Sequence, residues 1–129
     1  MELTDDGYCF VCGHKNPIGL KLDFSFDGNT IKTEFTGSKE HQGYTNIVHG
    51  GIISTLLDEA MVKLAIAMNM PVVTAQMEIR LKKALTVGEK IIVTAEILKD
   101  TKKILEASAK AVTADNTLIA EATGKLVRV

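Results

Sequence analysis

Asn46-Ile47-Val48-His49-Gly50-Gly51-Ile52-Ile53-Ser54-Thr55-Leu56-Leu57-Asp58-Glu59 opens the one long helical pattern of the chain. From Gly50 onward Ile53, Leu56, Leu57, Ala60, Leu64, Ala67 and Met68 recur at three- and four-residue steps, the spacing of an amphipathic helix. The pattern persists to Asn69, and Pro71 forbids its continuation. Few polar residues interrupt it, chiefly Ser54, Thr55, Asp58, Glu59 and Lys63, so the helix is expected to be buried on most sides. Ala60, Ala65 and Ala67 are good helix formers and small enough for close packing on a sheet.

Strand patterns flank this helix. Leu20 to Phe26 alternates, Asp27-Gly28-Asn29 reads as a tight turn, and Thr30 to Phe35 alternates again, which predicts a hairpin. After the helix come four extended runs, Val72 to Lys82, Lys90 to Lys99, Lys103 to Thr113 and Leu118 to Val127. Gly88-Glu89, Asp100-Thr101 and Asp115-Asn116 stand where turns are needed. The run 103–113 is rich in alanine, but its polar-apolar alternation favours strand over helix. Two strands, one helix and four strands predict an α+β domain in which a curved antiparallel sheet of six strands wraps the helix. One helix cannot cover both faces of such a sheet, and its edges stay unpaired. Dimerisation across the edges resolves both problems.

A chain of 129 residues is expected to form one domain over 1–129, with an irregular segment over 1–19 marked by Gly7, Gly13, Pro17 and Gly19. Its 46% hydrophobic and 24% charged content is that of a soluble protein. A net charge of −1 and scattered basic residues give no footprint for nucleic acid or an anionic membrane surface. The acidic start Met1-Glu2-Leu3-Thr4-Asp5-Asp6 has no apolar signal core, and a cytoplasmic location is the expectation. Cys9 and Cys12 are the only cysteines and lie too close in sequence to staple the chain. Cys9-Phe-Val-Cys12-Gly13-His14 looks at first like half of a metal knuckle, and a tetrahedral site would have to borrow His14, His41, a carboxylate or a neighbouring subunit. An apolar hook with reduced cysteines is the preferred reading, and no metal or cofactor is expected.

The helix start carries the chemistry. Gly50 and Gly51 present backbone instead of side chain, and their amides lie at the positive end of the helix dipole. A carbonyl oxygen held there would be stabilised as charge builds on it. Tight helix–sheet packing is the alternative use of two glycines. Asp58 follows Gly51 by seven residues, about two turns, and returns to a similar face. Such a carboxylate either activates water or attacks directly, unless it is a paired structural acid. Glu59 is one position round, so one acid is expected at the site and the other at a polar seam. Asn46 and His49 are candidates to orient water or substrate, with His41 and Gln42 at the pocket mouth. Arg80, Lys82 and Lys83 are candidates for phosphate contacts or a solvated basic edge. Ile52, Ile53, Leu57, Met61 and Met77 either line an apolar tunnel or form core.

Asn46-Ile-Val-His49-Gly50-Gly51 followed by Leu56-Leu57-Asp58-Glu59-Ala60 resembles the signature of the hotdog-fold thioesterases, in particular the PaaI-like branch. Cys9-Phe-Val-Cys12-Gly13 with Asn16-Pro17-Ile-Gly19-Leu20 is similar to a segment of some members. The resemblance implies a hotdog fold, homodimers or dimer-of-dimers tetramers, and active sites built across the subunit interface. It implies acyl-CoA or acyl-carrier-protein thioesters as substrates, hydrolysed to acid and thiol. It assigns the carbonyl-polarising amide to Gly51, beside Gly50, the base or nucleophile to Asp58, and orienting roles to Asn46 and His49. A polar residue offered by the partner subunit matches Thr74 best and Gln76 second. Leu81-Lys82-Lys83-Ala84 departs from the aromatic and proline of many relatives, and Glu78 and Arg80 are more charged than usual. A non-catalytic acyl-thioester binding protein of the same fold is the alternative function. A dehydratase is a weaker one, because those relatives use a different histidine-containing helix start.

Overall fold

A computed structural model describes residues 2–129; Met1, the first residue of the expected irregular segment, lies outside it. The elements run β1 (Ser25–Phe26), β2 (Thr30–Thr36), a single 3₁₀ turn (Lys39–His41), α1 (Gly50–Ala67), β3 (Val72–Leu81), β4 (Lys90–Asp100), β5 (Ile104–Thr113) and β6 (Leu118–Arg128). The strands form one six-stranded sheet in the order β1-β2-β4-β5-β6-β3. Every pairing is antiparallel. Helix α1 therefore carries the chain from one margin of the sheet, at β2, to the other, at β3. This is the hotdog architecture that the helix and strand patterns lead to.

Burial alternates along the strands as a one-sided core demands. Ile91, Val93 and Ala95 of β4, and Leu105, Ala107, Ala109 and Ala111 of β5, are buried beneath the helix. From α1 they meet Ile53, Leu56, Leu57, Ala60, Met61, Leu64 and Ala65. Alanines on both surfaces let backbone approach backbone, which explains why the alanine-rich β5 is a strand despite its helix propensity. Gly124 of β6 adds to the closeness, since a Cβ there would lie 3.0 Å from Met61 Cε and the methionine would have to shift. The other side of α1, with Ser54, Thr55, Asp58, Glu59, Val62 and Lys63, is only half-buried, and Ile66 is exposed.

The helix stops where Asn69 adopts a left-handed backbone (φ 62°). Met70 N–H then donates to Ala65 O at 2.8 Å and Asn69 N–H to Ile66 O at 2.9 Å, the paired bonds of a Schellman cap. The first strand is shorter than its sequence suggests. Leu20 to Phe26 alternates, yet only Ser25 and Phe26 pair with β2. Lys21 sits at φ 54° and breaks the extended run. Leu20 and Leu22 donate their N–H groups to Phe10 O and Val11 O of the N-terminal hook, at 2.8 and 2.9 Å. The alternation is thus real burial against a loop, not against a neighbouring strand.

Candidate active site

The segment entering α1 is laced to the segment leaving β3. Val48 N–H donates to Leu85 O at 2.9 Å, and Val87 N–H to Asn46 O at 3.0 Å. Asn46 lies at φ 66°, a conformation asparagine tolerates, and its N–H donates to Gln42 Oε1 at 3.1 Å. His41 is tied to the helix start through its backbone, its carbonyl accepting the His49 N–H at 2.8 Å, while its ring turns away: its Nδ1 accepts Ser38 N–H at 3.0 Å and the ring packs on Phe35 at 5.3 Å. His49 is the N-cap, and its Nδ1 accepts the Gly51 N–H at 2.8 Å. The accepting nitrogen carries no proton, so the ring proton is on Nε2. Gly50 N–H has no acceptor among the described residues. A Cβ on Gly50 would stand 2.8 Å from Leu81 Cδ1, the end of an exposed side chain, so the helix start lies directly against the end of β3. Beside it a cleft of about 250 Å³ is bounded by Ile47, Gly50, Ile53, Leu81, Lys82 and Lys83, among others.

Asp58 is half-buried on the open side of α1, and its Oδ1 accepts the Thr74 hydroxyl of the same chain at 2.7 Å. A register shift between Thr74 and Gln76 governs this contact. Before it Val72 and Thr74 face inward; after it Met77 and Ile79 do. Thr74 is thereby aimed at Asp58, while Gln76 is exposed on the outer parity with Glu78 and Arg80. Asp58 and Gly51 share a helix face but are separated by roughly 10 Å along the axis. One chain's helix end and its own Asp58 therefore cannot grip the same reacting carbon.

Glu59 points elsewhere. Its Oε2 accepts the Cys9 thiol at 3.2 Å, and the Cys9, Cys12 and Glu59 donor atoms all lie within 4.8 Å of one another. Burial, reinforced by hydrogen bonds to Cys9 and Glu59, pushes the Cys12 thiol up to about 12, and Lys63 offsets this in part. Sequence spacing alone does not bring a carboxylate to the cysteines across fifty positions; the fold does.

The basic candidates separate. Arg80 reaches Glu78 at 3.8 Å on the outer sheet face. There it borders a larger concavity of about 420 Å³ with Glu96, Lys110 and Glu121. That hollow is on the opposite side of the sheet from α1 and holds none of the helix-start residues. Lys82 and Lys83 border the helix-start cleft, Lys82 also lying 3.8 Å from Glu121. Of the apolar candidates Ile53, Leu57 and Met61 are core, whereas Ile52 and Met77 are half-buried.

The model of the thioesterase superfamily matches residues 45–120, more than half of the chain and the whole stretch from the helix start into β6. The chain belongs to the thioesterase superfamily. No curated protein matches it significantly in sequence. Among solved structures it is similar to mouse thioesterase superfamily member 2, at 27% identity and a TM-score of 0.75, covering 82% of this chain and 81% of that one. It is similar to the Escherichia coli PaaI protein from the phenylacetic acid degradation operon, at 20% identity and a TM-score of 0.80, covering 85% and 80%. It is also similar to smu.793 of Streptococcus mutans UA159, a structure bound to acetyl CoA, at 20% identity and a TM-score of 0.80, covering 84% and 88%. These likenesses agree with the PaaI-like resemblance carried by the His49-Gly50-Gly51 and Asp58 motif. Among the described residues of this superfamily member, no helix is long and apolar enough to cross a membrane.

Proposed function

We propose that the protein hydrolyses acyl-CoA thioesters to a free acid and coenzyme A. The observation that carries this reading is the 2.7 Å bond from Thr74 to Asp58 Oδ1, which fixes a half-buried carboxylate on the open side of a glycine-led helix. A thioester carbonyl is electrophilic enough to be cleaved by water with a base and an amide to receive the oxyanion. Asp58 Oδ2 takes a proton from water as the water oxygen bonds to the carbonyl carbon. The tetrahedral intermediate places its negative oxygen on the helix-end amides and then expels the coenzyme A thiolate. The thiolate takes up the proton, leaving acid and thiol.

The amides come from a different copy than the acid. The roughly 10 Å axial gap within one helix and the outer edge of β3, which among the described residues pairs only with β6, both favour a dimer joined at β3. In that dimer Gly51 of one chain and Asp58 with Thr74 of the other serve one substrate. Binding swings the His49 ring off the Gly51 amide, at a cost of about 1 kcal/mol for the exchanged hydrogen bond. The freed ring and Asn46 then border the thioester, and Lys82 and Lys83 meet the coenzyme A phosphates. Release of free thiol from a panel of short, medium-chain and aryl acyl-CoAs tests the proposal. Saturable turnover is expected with at least one class; tight acyl-CoA binding without thiol release assigns a binding protein instead.

A further inference from the structure

We propose that Cys9, Cys12 and Glu59 form a binding site for a thiophilic divalent cation of the zinc class, which fastens the N-terminal hook to helix α1. The sequence offers Cys-x-x-Cys, the spacing of half a zinc ligand set, with no second cysteine pair to complete it. The fold supplies the third donor. Glu59, fifty positions from Cys9, brings Oε2 to 3.2 Å from the Cys9 sulfur. All three donor atoms lie within 4.8 Å of one another. Ligands at zinc–sulfur and zinc–oxygen distances in a tetrahedron stand about 3.3–3.8 Å apart. A small contraction of the three side chains onto an ion would reach that geometry.

The backbone is already folded for such a site. Gly13 N–H donates to Cys9 O at 2.8 Å and closes the turn that sets the two thiols side by side. A Cβ at position 13 would come within 2.4 Å of Cys9 N, 2.5 Å of Gly7 O and 2.6 Å of Cys9 O, so only glycine allows the turn. Val11, between the cysteines, is buried, and the three donor residues are themselves half-buried. The charges also match. Two thiolates and a carboxylate around a divalent ion leave one negative charge, and Lys63, one turn beyond Glu59 on α1, brings a positive charge to the same helix face.

On binding, Cys9 and Cys12 each release a proton to solvent and each forms a metal–sulfur bond, while Glu59 bonds through a carboxylate oxygen. His14 is engaged with Asp23 at 2.7 Å, so water takes the fourth position. Two thiolates select a soft ion over magnesium or calcium. The inference is independent of the hydrolase reading, although the site grips the residue that follows Asp58.

Cobalt(II) titration of the full chain, reduced and metal-stripped under anaerobic conditions, tests it. The expected result is thiolate-to-cobalt charge-transfer absorption saturating at one equivalent, displaced by zinc, with two titratable thiols becoming protected. Thermal stability should rise with zinc concentration, as for any ligand held by the native state alone. Glu59→Gln should keep both thiols and weaken zinc binding by about tenfold or more, whereas Cys12→Ser should abolish the thiolate band. A folded wild-type chain with two free thiols and no such band would overturn the proposal. So would a Glu59→Gln chain with undiminished affinity.

Discussion

The Thr74 hydroxyl and the Asp58 carboxylate, sixteen positions apart, meet at 2.7 Å where β3 passes the open side of α1. The contact exists because β3 shifts register immediately after Thr74, so that the residues before the shift face the helix on one parity and those after it on the other. A bond to Oδ1 fixes the carboxylate plane and leaves Oδ2 for water. Thr74→Val, similar in shape, is expected to fold normally and lower kcat about tenfold, the order of one lost charge-assisted hydrogen bond. Thr74→Ser should restore most of the rate. Steady-state kinetics beside thermal melts check this, and unchanged kcat in Thr74→Val would remove the threonine from the mechanism.

His49 caps α1 through its ring nitrogen, a role that serine, threonine, aspartate and asparagine fill more often. His49→Ala is expected to lower stability by about 1 kcal/mol and His49→Asn by much less. Urea denaturation of the two variants measures the difference.

A site shared between chains makes a prediction about mixtures. Asp58→Asn chains still supply Gly51, and Gly51→Val chains still supply Asp58. Co-refolded mixed dimers should regain activity that neither variant has alone, because one of their two sites is intact. A mixture as inactive as its parents, or a wild-type chain that sediments at 14.0 kDa, would show that one copy does the work.

Arg80 and the Lys82-Lys83 pair should part company in kinetics. Arg80 faces the outer hollow with Glu78, so Arg80→Ala should leave KM within about twofold. Lys82→Ala and Lys83→Ala border the helix-start cleft and should each raise KM by about two- to fivefold, the worth of a solvent-exposed charge contact.

Most of the fold can be read in the residues. Pro71, with Asn69 just before it, ends the helix, and Gly88, Asp100-Thr101 and Asp115-Asn116 separate strands whose alternation follows their burial. The alanine-rich run resolves as β5 because its period is two, even though its composition favours helix. What escapes sequence reading depends on backbone detail or distance. Lys21 carries no signal for its left-handed conformation, so the first strand reads too long. The shift after Thr74 flips the parity of β3, which is why Thr74 and Gln76 look equivalent by alternation yet face opposite ways. Glu59 meets Cys9 only through tertiary folding. The motif places Asp58 and the glycines on one helix face, but a shared face hides the axial rise between them.

Asp58 is the centre of the account, and hydrolysis of the best acyl-CoA by wild type and Asp58→Asn in parallel tests it most directly. Asparagine keeps the size of the side chain and an oxygen for Thr74 but cannot take a proton from water. The expected result is a folded variant whose kcat falls by about 10²–10⁴-fold. Turnover by the variant equal to that of wild type would contradict it.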